Sequence, residues 1–184
     1  SVIEGARAGL GEAFLRFVPG HPIAGSERSG AQAADPDLFR GRRWLLCPVD
    51  ATPAQHREAV ARLLAPTGAT IETLDPLLHD RIFAEVSHWP HAVAFALSAA
   101  IAGHELSESA LAYSGAGLRD TTRIGASSPT LWADILLDNR DLCLESAQRF
   151  ADRIDEIHGA LRDGGRDALV RIFSTASRWR NRLA

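Results

Sequence analysis

How this chain can fold turns on Asp75-Pro76. Before that point short apolar runs alternate with helical stretches; from Leu77 to Ala184 there is no convincing strand, and Ala, Leu, Arg and Glu dominate. In the first part, Phe14–Val18 and Trp44–Val49 read as buried strands, closed by Pro19 and Pro48. Thr52-Pro53 opens a helix with Val60, Leu63 and Leu64 as its apolar stripe, Gly68 closes it, and Thr70–Leu74 is the next strand. Strand, helix, strand predicts an α/β layer. Only about three strands fit, against the roughly five or six of an average sheet, so an incomplete sheet is expected.

Beyond the break, helices are predicted over Pro76–Ser87, Pro90–Ala102 and Ser107–Tyr113, followed by loops around Gly115-Ala116-Gly117 and Gly125. Ser128-Pro129 is an N-cap followed by Pro in the first turn, so a helix begins there. Leu144, Ala147, Phe150, Ala151, Ile154, Ile157, His158 and Leu161 recur at spacings of three and four and make one continuous apolar face. That face is either intramolecular core or the seam of a homodimer. Asp163-Gly164-Gly165 ends the helix, and Asp167–Leu183 forms the last one.

Composition narrows the function. The 184 residues suit one domain or two small ones with a real core. All 20 basic residues are Arg, set against 23 acidic ones for a net charge of -3, which argues against a nucleic-acid binder. The absence of Lys excludes a P-loop lysine and Schiff-base chemistry. Cys47 and Cys143 lie far apart without CxxC spacing, so neither a disulfide framework nor a zinc site is expected, and a reducing compartment follows. No apolar run reaches the roughly 20 residues of a membrane span, and no signal-peptide pattern opens the chain. A soluble cytoplasmic protein is expected, and the missing initial Met suggests a sequence beginning mid-gene.

Three segments can carry chemistry. The first is Gly20-His21-Pro22-Ile23-Ala24-Gly25-Ser26-Glu27, directly after a predicted strand, where α/β proteins place ligands. His21 there is either a proton acceptor at neutral pH or a loop residue capping a neighbour. The second is Ser87-His88-Trp89-Pro90-His91 with His79-Asp80 upstream. Metal ligands would have to lie across a Pro break with no Cys or paired carboxylate to complete them, so a broken helix pair bringing His to a cleft is the better reading, with no metal. The third is Gly115-Ala116-Gly117-Leu118-Arg119-Asp120-Thr121-Thr122-Arg123-Ile124. It reads either as an anion clamp built on the Arg fork or as a capped loop with Asp120 paired to an Arg. Neither Gly cluster continues into GxGxxG.

In their order along the chain these segments resemble the prephenate dehydrogenase family, which includes arogenate dehydrogenases. The likeness runs through Ser1-Val2, His21-Pro22-Ile23-Ala24-Gly25-Ser26-Glu27-Arg28-Ser29-Gly30 and Leu38-Phe39-Arg40-Gly41. It continues through His79-Asp80, Ser87-His88-Trp89-Pro90-His91, Gly117–Ile124 and Pro129-Thr130-Leu131-Trp132. The family usually has Ser-Val-Lys where this chain has Ser1-Val2-Ile3.

The resemblance implies a mixed fold: the C-terminal remnant of a Rossmann-like α/β dinucleotide-binding domain over 1–75, then an all-α helical substrate-binding and dimerisation domain over 76–184. It moves the long helix toward an intertwined homodimer. It implies oxidative decarboxylation of prephenate or arogenate with NAD or NADP, within tyrosine biosynthesis. His21 would be the catalytic proton acceptor, with Ser1 beside it, and Ser1, Pro22 and Ile23 would lie by the nicotinamide. Arg123 would clamp a substrate carboxylate and His91 would stand near the other end of the substrate, with Ser26, Glu27, Asp120 and Trp132 lining or gating the pocket. The main pyrophosphate turn is expected upstream of Ser1, which leaves a non-catalytic dimerisation or ligand-binding fragment as the alternative.

Overall fold

A computed structural model describes residues 2–25, 30–49 and 52–183. By backbone proximity the chain divides into two compact units, one up to Arg140 and one from Asp141, with Asp75-Pro76 inside the first.

The first unit holds a three-stranded sheet in the order β1 (Gly20–Pro22), β2 (Arg43–Leu46), β3 (Thr70–Thr73). β2 and β3 are parallel, joined through α2 (Ala54–Leu64), as the strand–helix–strand pattern predicts. β1 adds an antiparallel edge, with His21 opposite Leu45, and the pairing extends through Ile23 N–H to the Arg43 carbonyl at 2.8 Å and Cys47 N–H to the Pro19 carbonyl at 2.8 Å. The edge needs Gly20: a Cβ there would lie 3.0 Å from Trp44 Nε1 and 3.3 Å from Leu46 Cδ2.

The expected strand at Phe14–Val18 is instead a 3₁₀ turn, Gly11–Arg16, which follows helix α1 (Val2–Leu10). Phe14 is buried there by ring packing rather than by sheet pairing, while Leu15 is exposed. Phe14 is covered by Phe17 at 6.0 Å between centroids and by the Arg7 guanidinium 4.4 Å above its ring. A short apolar run cannot tell these two modes of burial apart. In α2, which starts at Ala54 rather than Pro53, Val60 and Leu64 are half-buried but Leu63 is 77% exposed, so the expected stripe is narrower. Thr52 tucks in ahead of it, its hydroxyl donating to the Phe17 carbonyl at 3.3 Å.

After Asp75 the described elements are helical. Asp75 caps α3 (Pro76–Phe83), its carboxylate accepting from Leu78 N–H at 2.8 Å. The expected break before Pro90 is absent. A π-turn, Ala84–His88, closed by Trp89 N–H on the Ala84 carbonyl, carries α3 into α4 (Trp89–Ala102). Pro90 has no N–H to give the ladder, and the wider turn absorbs that loss without ending the helix. α5 (Ser107–Ala112) follows. The Gly115–Gly117 segment, expected as loop, opens α6 (Ala116–Thr122), with Gly115 extended as its N-cap. α7 (Pro129–Asp138) is capped by the Ser128 hydroxyl, which accepts from Leu131 N–H at 3.4 Å.

Leu45, Cys47 and Phe83 form the buried nucleus joining sheet to α3, with Ile23 and Leu74 packed against it. In the second unit α8, which begins at Arg140 and runs to Arg162, turns through Gly164 (φ +64°) into α9 (Arg166–Arg180). The apolar face of α8 is open: Leu144, Phe150, Ile154 and Leu161 are exposed, as are Val170, Phe173 and Trp179 on α9.

Candidate active site

A cavity of about 1110 Å³ opens where the parallel strands end. Cys47, just past β2, and Pro76, just past β3, line it, the place where α/β sheets bind ligands. His21, Pro22 and Ile23 reach it from β1, His88 and His91 from the π-turn and α4, Arg123 from the turn after α6, and Trp132 from α7. Residues scattered through the sequence motifs thus face one space.

His21 is not on a loop, as the sequence suggests, but in β1, which fixes its backbone. Its Nδ1 lies 2.8 Å from His79 Nε2, and His79 Nδ1 lies 2.9 Å from Asp80 Oδ1. A carboxylate only accepts, so His79 carries its proton on Nδ1. With both rings neutral, His79 Nε2 accepts from His21 Nδ1–H, and His21 is left with Nε2 unprotonated. Phe83 seats both rings, 4.7 Å from His21 and 4.5 Å from His79 between centroids. Burial, and then repulsion from His79, hold the His21 pKa below its ordinary value. The result is a neutral imidazole oriented as a base.

At α4 the His91 Nδ1–H donates to the Ser87 carbonyl at 2.8 Å, which leaves Nε2 as its free nitrogen. Its ring stacks on Trp132, centroids 3.4 Å apart and planes 15° apart. Burial lowers its pKa, and the nearby Arg123 cation lowers it further against the pull of the Ser87 carbonyl. Arg123 begins the 3₁₀ turn Arg123–Ala126, held on α4 by a close approach that only glycine allows. A Cβ on Gly125 would meet the Ala94 carbonyl oxygen at 3.0 Å. The hydroxyls of Thr121 and Thr122 are spent on the Gly117 and Leu118 carbonyls, and Arg119 is exposed away from the cavity lining, so within the cavity the anion-binding capacity of this segment rests on Arg123.

Cys47 faces the same cavity, but burial and then the Asp80 and Asp75 carboxylates push its thiol up to about 11, so it stays protonated and is no nucleophile. Asp120 stands exposed on α6 and is not among the cavity-lining residues. Ser1, Ser26 and Glu27 lie outside the described residues. Among the described residues no three His, Cys, Asp or Glu converge on a metal position. Nor does a Gly-rich strand-to-helix turn stand ready for a pyrophosphate. Pro22 and Ile23 stand on the cavity wall beside His21.

The sequence marks His79 and Asp80 only as part of a histidine cluster, without the relay role the structure gives them. Asn139 had no signal, yet its Nδ2 donates to the Asp80 carbonyl at 2.8 Å and approaches His88 Nδ1 at 3.1 Å.

Comparison with known proteins agrees with this geometry. Residues 3–73 match the family described as "Prephenate dehydrogenase, nucleotide-binding domain", and residues 75–175 match "Prephenate dehydrogenase, dimerization domain". The chain is 37% identical to a Bacillus subtilis prephenate dehydrogenase over 91% of its own length and 46% of the relative's. It is 32% identical to a Zymomonas mobilis cyclohexadienyl dehydrogenase over 89% of its own length and 57% of the relative's. The chain therefore spans about half the length of these curated relatives. Among solved structures it superposes on an Aquifex aeolicus prephenate dehydrogenase, in complex with hydroxyphenyl propionate and NAD+, with a TM-score of 0.88 and 31% identity, covering 100% of this chain and 64% of that one. A Synechocystis arogenate dehydrogenase aligns with a TM-score of 0.77 at 27% identity, covering 91% of this chain and 62% of that one.

Proposed function

The chain belongs to the prephenate dehydrogenase family, and from that premise we propose that it takes part in the NAD- or NADP-dependent oxidative decarboxylation of prephenate or arogenate. The observation that carries this reading is the Asp80–His79–His21 relay, which leaves an unprotonated nitrogen in a cavity that also holds Arg123.

The chemistry needs few groups. A bound nicotinamide would supply the hydride acceptor for the ring carbon that bears the hydroxyl. His21 Nε2 accepts the hydroxyl proton as that carbon becomes a carbonyl. The ring carboxylate leaves as carbon dioxide, its bonding electrons move into the ring, and the oxygen recovers a proton as the phenol forms. Aromatisation drives the sequence, so the protein's work is orientation and proton transfer. Arg123 grips a substrate carboxylate, Trp132 and His91 wall the far end, and Pro22 and Ile23 are the residues that would hold the nicotinamide ring. By the family likeness, Ser1 would assist His21, and Ser26 and Glu27 would serve the substrate pocket, whereas Asp120, exposed and away from the cavity lining, is left without such a role.

We place the domain division at Asp75, between a nucleotide-binding part over 1–75 and a helical part over 76–184. Homodimerisation through that helical part accounts for the open apolar face of α8. Among the described residues no helix is long and apolar enough to cross a membrane. A cytoplasmic protein acting on small molecules, without a nucleic-acid partner, suits that observation and the net charge of -3.

The test is to titrate the purified chain with hydroxyphenyl propionate and with NAD and NADP, then to follow cofactor reduction with prephenate and with arogenate. Saturable binding of the aromatic acid and growth of the reduced cofactor's absorbance are expected. Binding of the acid without reduction of either cofactor would leave a ligand-binding module, and no binding at all would remove the reading.

A further inference from the structure

His88 is used by none of the steps above, yet it lines the same cavity and its ring is locked. The lock is Asn139, at the C-terminal end of α7. The Asp80 carbonyl can only accept, so it is the Asn139 amide nitrogen that faces it, at 2.8 Å. That nitrogen has a second hydrogen, and His88 Nδ1 lies 3.1 Å from it. His88 Nδ1 must therefore be the unprotonated nitrogen, and a neutral His88 carries its hydrogen on Nε2. Burial, the first cause of its lowered pKa, keeps the ring neutral.

His21 and His88 are thus set in opposite senses by one continuous network. From Asp80, the carboxylate runs through His79 to make His21 an acceptor; the carbonyl runs through Asn139 to make His88 a donor. A hydroxyl is the ligand group that matches such a pair, because it donates one hydrogen and accepts another. A carboxylate or a carbonyl would match only His88.

Resting on the reading of the cavity as the site of a ring-bearing hydroxy acid, we infer that His88 Nε2–H donates to the same hydroxyl oxygen whose proton His21 accepts, and that Asn139 is the positioning residue that fixes His88 in that tautomer. As the hydroxyl turns into a carbonyl, the His88 donor stays with the oxygen while the His21 bond reverses, its newly protonated Nε2 now donating, so the oxygen remains held through the change.

Two measurements on the full chain test this. In ¹⁵N spectra of the histidine rings, His88 is expected as the Nε2–H tautomer in the parent and as the Nδ1–H tautomer in Asn139→Asp, whose carboxylate demands a donor. Hydroxyphenyl propionate and phenylpropionate, which differ by the hydroxyl, are then compared by calorimetry. The parent's preference for the hydroxyl compound should fall about five- to tenfold in Asn139→Asp and in His88→Leu, the worth of one hydrogen bond. His88→Gln, which keeps a donor near the Nε2 position, should retain most of it. An Nδ1–H tautomer in the parent would overturn the inference, as would an unchanged preference in both His88→Leu and Asn139→Asp. If the parent binds neither compound, the aromatic-acid reading itself has failed, and the hydroxyl assignment falls with it.

Discussion

The His91 imidazole lies flat on the Trp132 indole, with ring centroids 3.4 Å apart and 15° between their planes. The stack joins the start of α4 to α7, and both rings line the cavity that also holds the His21 relay. Trp132→Leu keeps an apolar residue but removes the stacked face. A well-packed aromatic pair is worth roughly 0.5–1.5 kcal/mol beyond its burial, so affinity for hydroxyphenyl propionate should fall roughly three- to tenfold. Calorimetric titration reads this directly; an unchanged affinity would show that Trp132 does not shape the site.

Arg123 opposes the protonation of His91, so its removal has a signed consequence. In Arg123→Ala the His91 pKa should rise toward the ordinary value of about 6.5, as followed by NMR titration of the ring. The same variant should bind hydroxyphenyl propionate more weakly, and the loss should shrink as salt is raised, since salt screens the parent's charge interaction. A fixed His91 pKa would mean that the guanidinium is not close enough to serve as the clamp.

His21→Asn removes the proton acceptor while keeping a polar side chain. Turnover of prephenate or arogenate should drop roughly 10²–10⁴-fold, the range for loss of a general base. Asp80→Asn should cause a smaller loss and move the acid limb of the rate profile, because His79 would no longer be held with its proton on Nδ1. Equal activity of either variant and the parent across pH would refute the relay.

Stability should also report on the buried imidazoles. His21, His88 and His91 all have folded pKa values below the unfolded value of about 6.5, so the unfolded chain binds more protons. Stability from keeping them neutral is complete above that value and is lost as pH falls from about 6.5 toward the folded pKa values. Thermal melting between pH 7.5 and 5 should show this fall, and the double variant His88→Gln, His91→Gln should flatten it. A parallel fall in parent and variant would assign the effect elsewhere.

Phe83 sits in the buried nucleus and carries both rings of the relay. Phe83→Ala should cost about 3–5 kcal/mol in denaturant unfolding, as for other buried Phe truncations. A loss under about 1 kcal/mol would mean that the site collapses around the gap, contrary to a rigid seat for His21.

Much of this protein is settled by short-range chemistry, and those parts were legible in the linear chain. Asp75 and Ser128 start helices because a side-chain oxygen meets an N–H three residues on, and Pro follows each cap. The β2–α2–β3 unit shows in periodicity and punctuation. The inventory of His21, His91 and Arg123 is written in local motifs. Where local backbone geometry was not written in the periodicity, the linear pattern misled. Phe14 is buried as part of a 3₁₀ turn, Gly117 sits inside a helix, and a π-turn bridges the proline at position 90. The decisive arrangement is less local still: His21 meets His79 across 58 positions, and Asn139 meets Asp80 across 59 and His88 across 51. No periodicity encodes such contacts, because each exists only once β1 has paired with β2 and α7 has come to rest beside α3 and the π-turn. The residue types were set by the sequence; which imidazole accepts a proton and which donates one was decided by the tertiary structure, through hydrogen bonds that leave each ring a single tautomer.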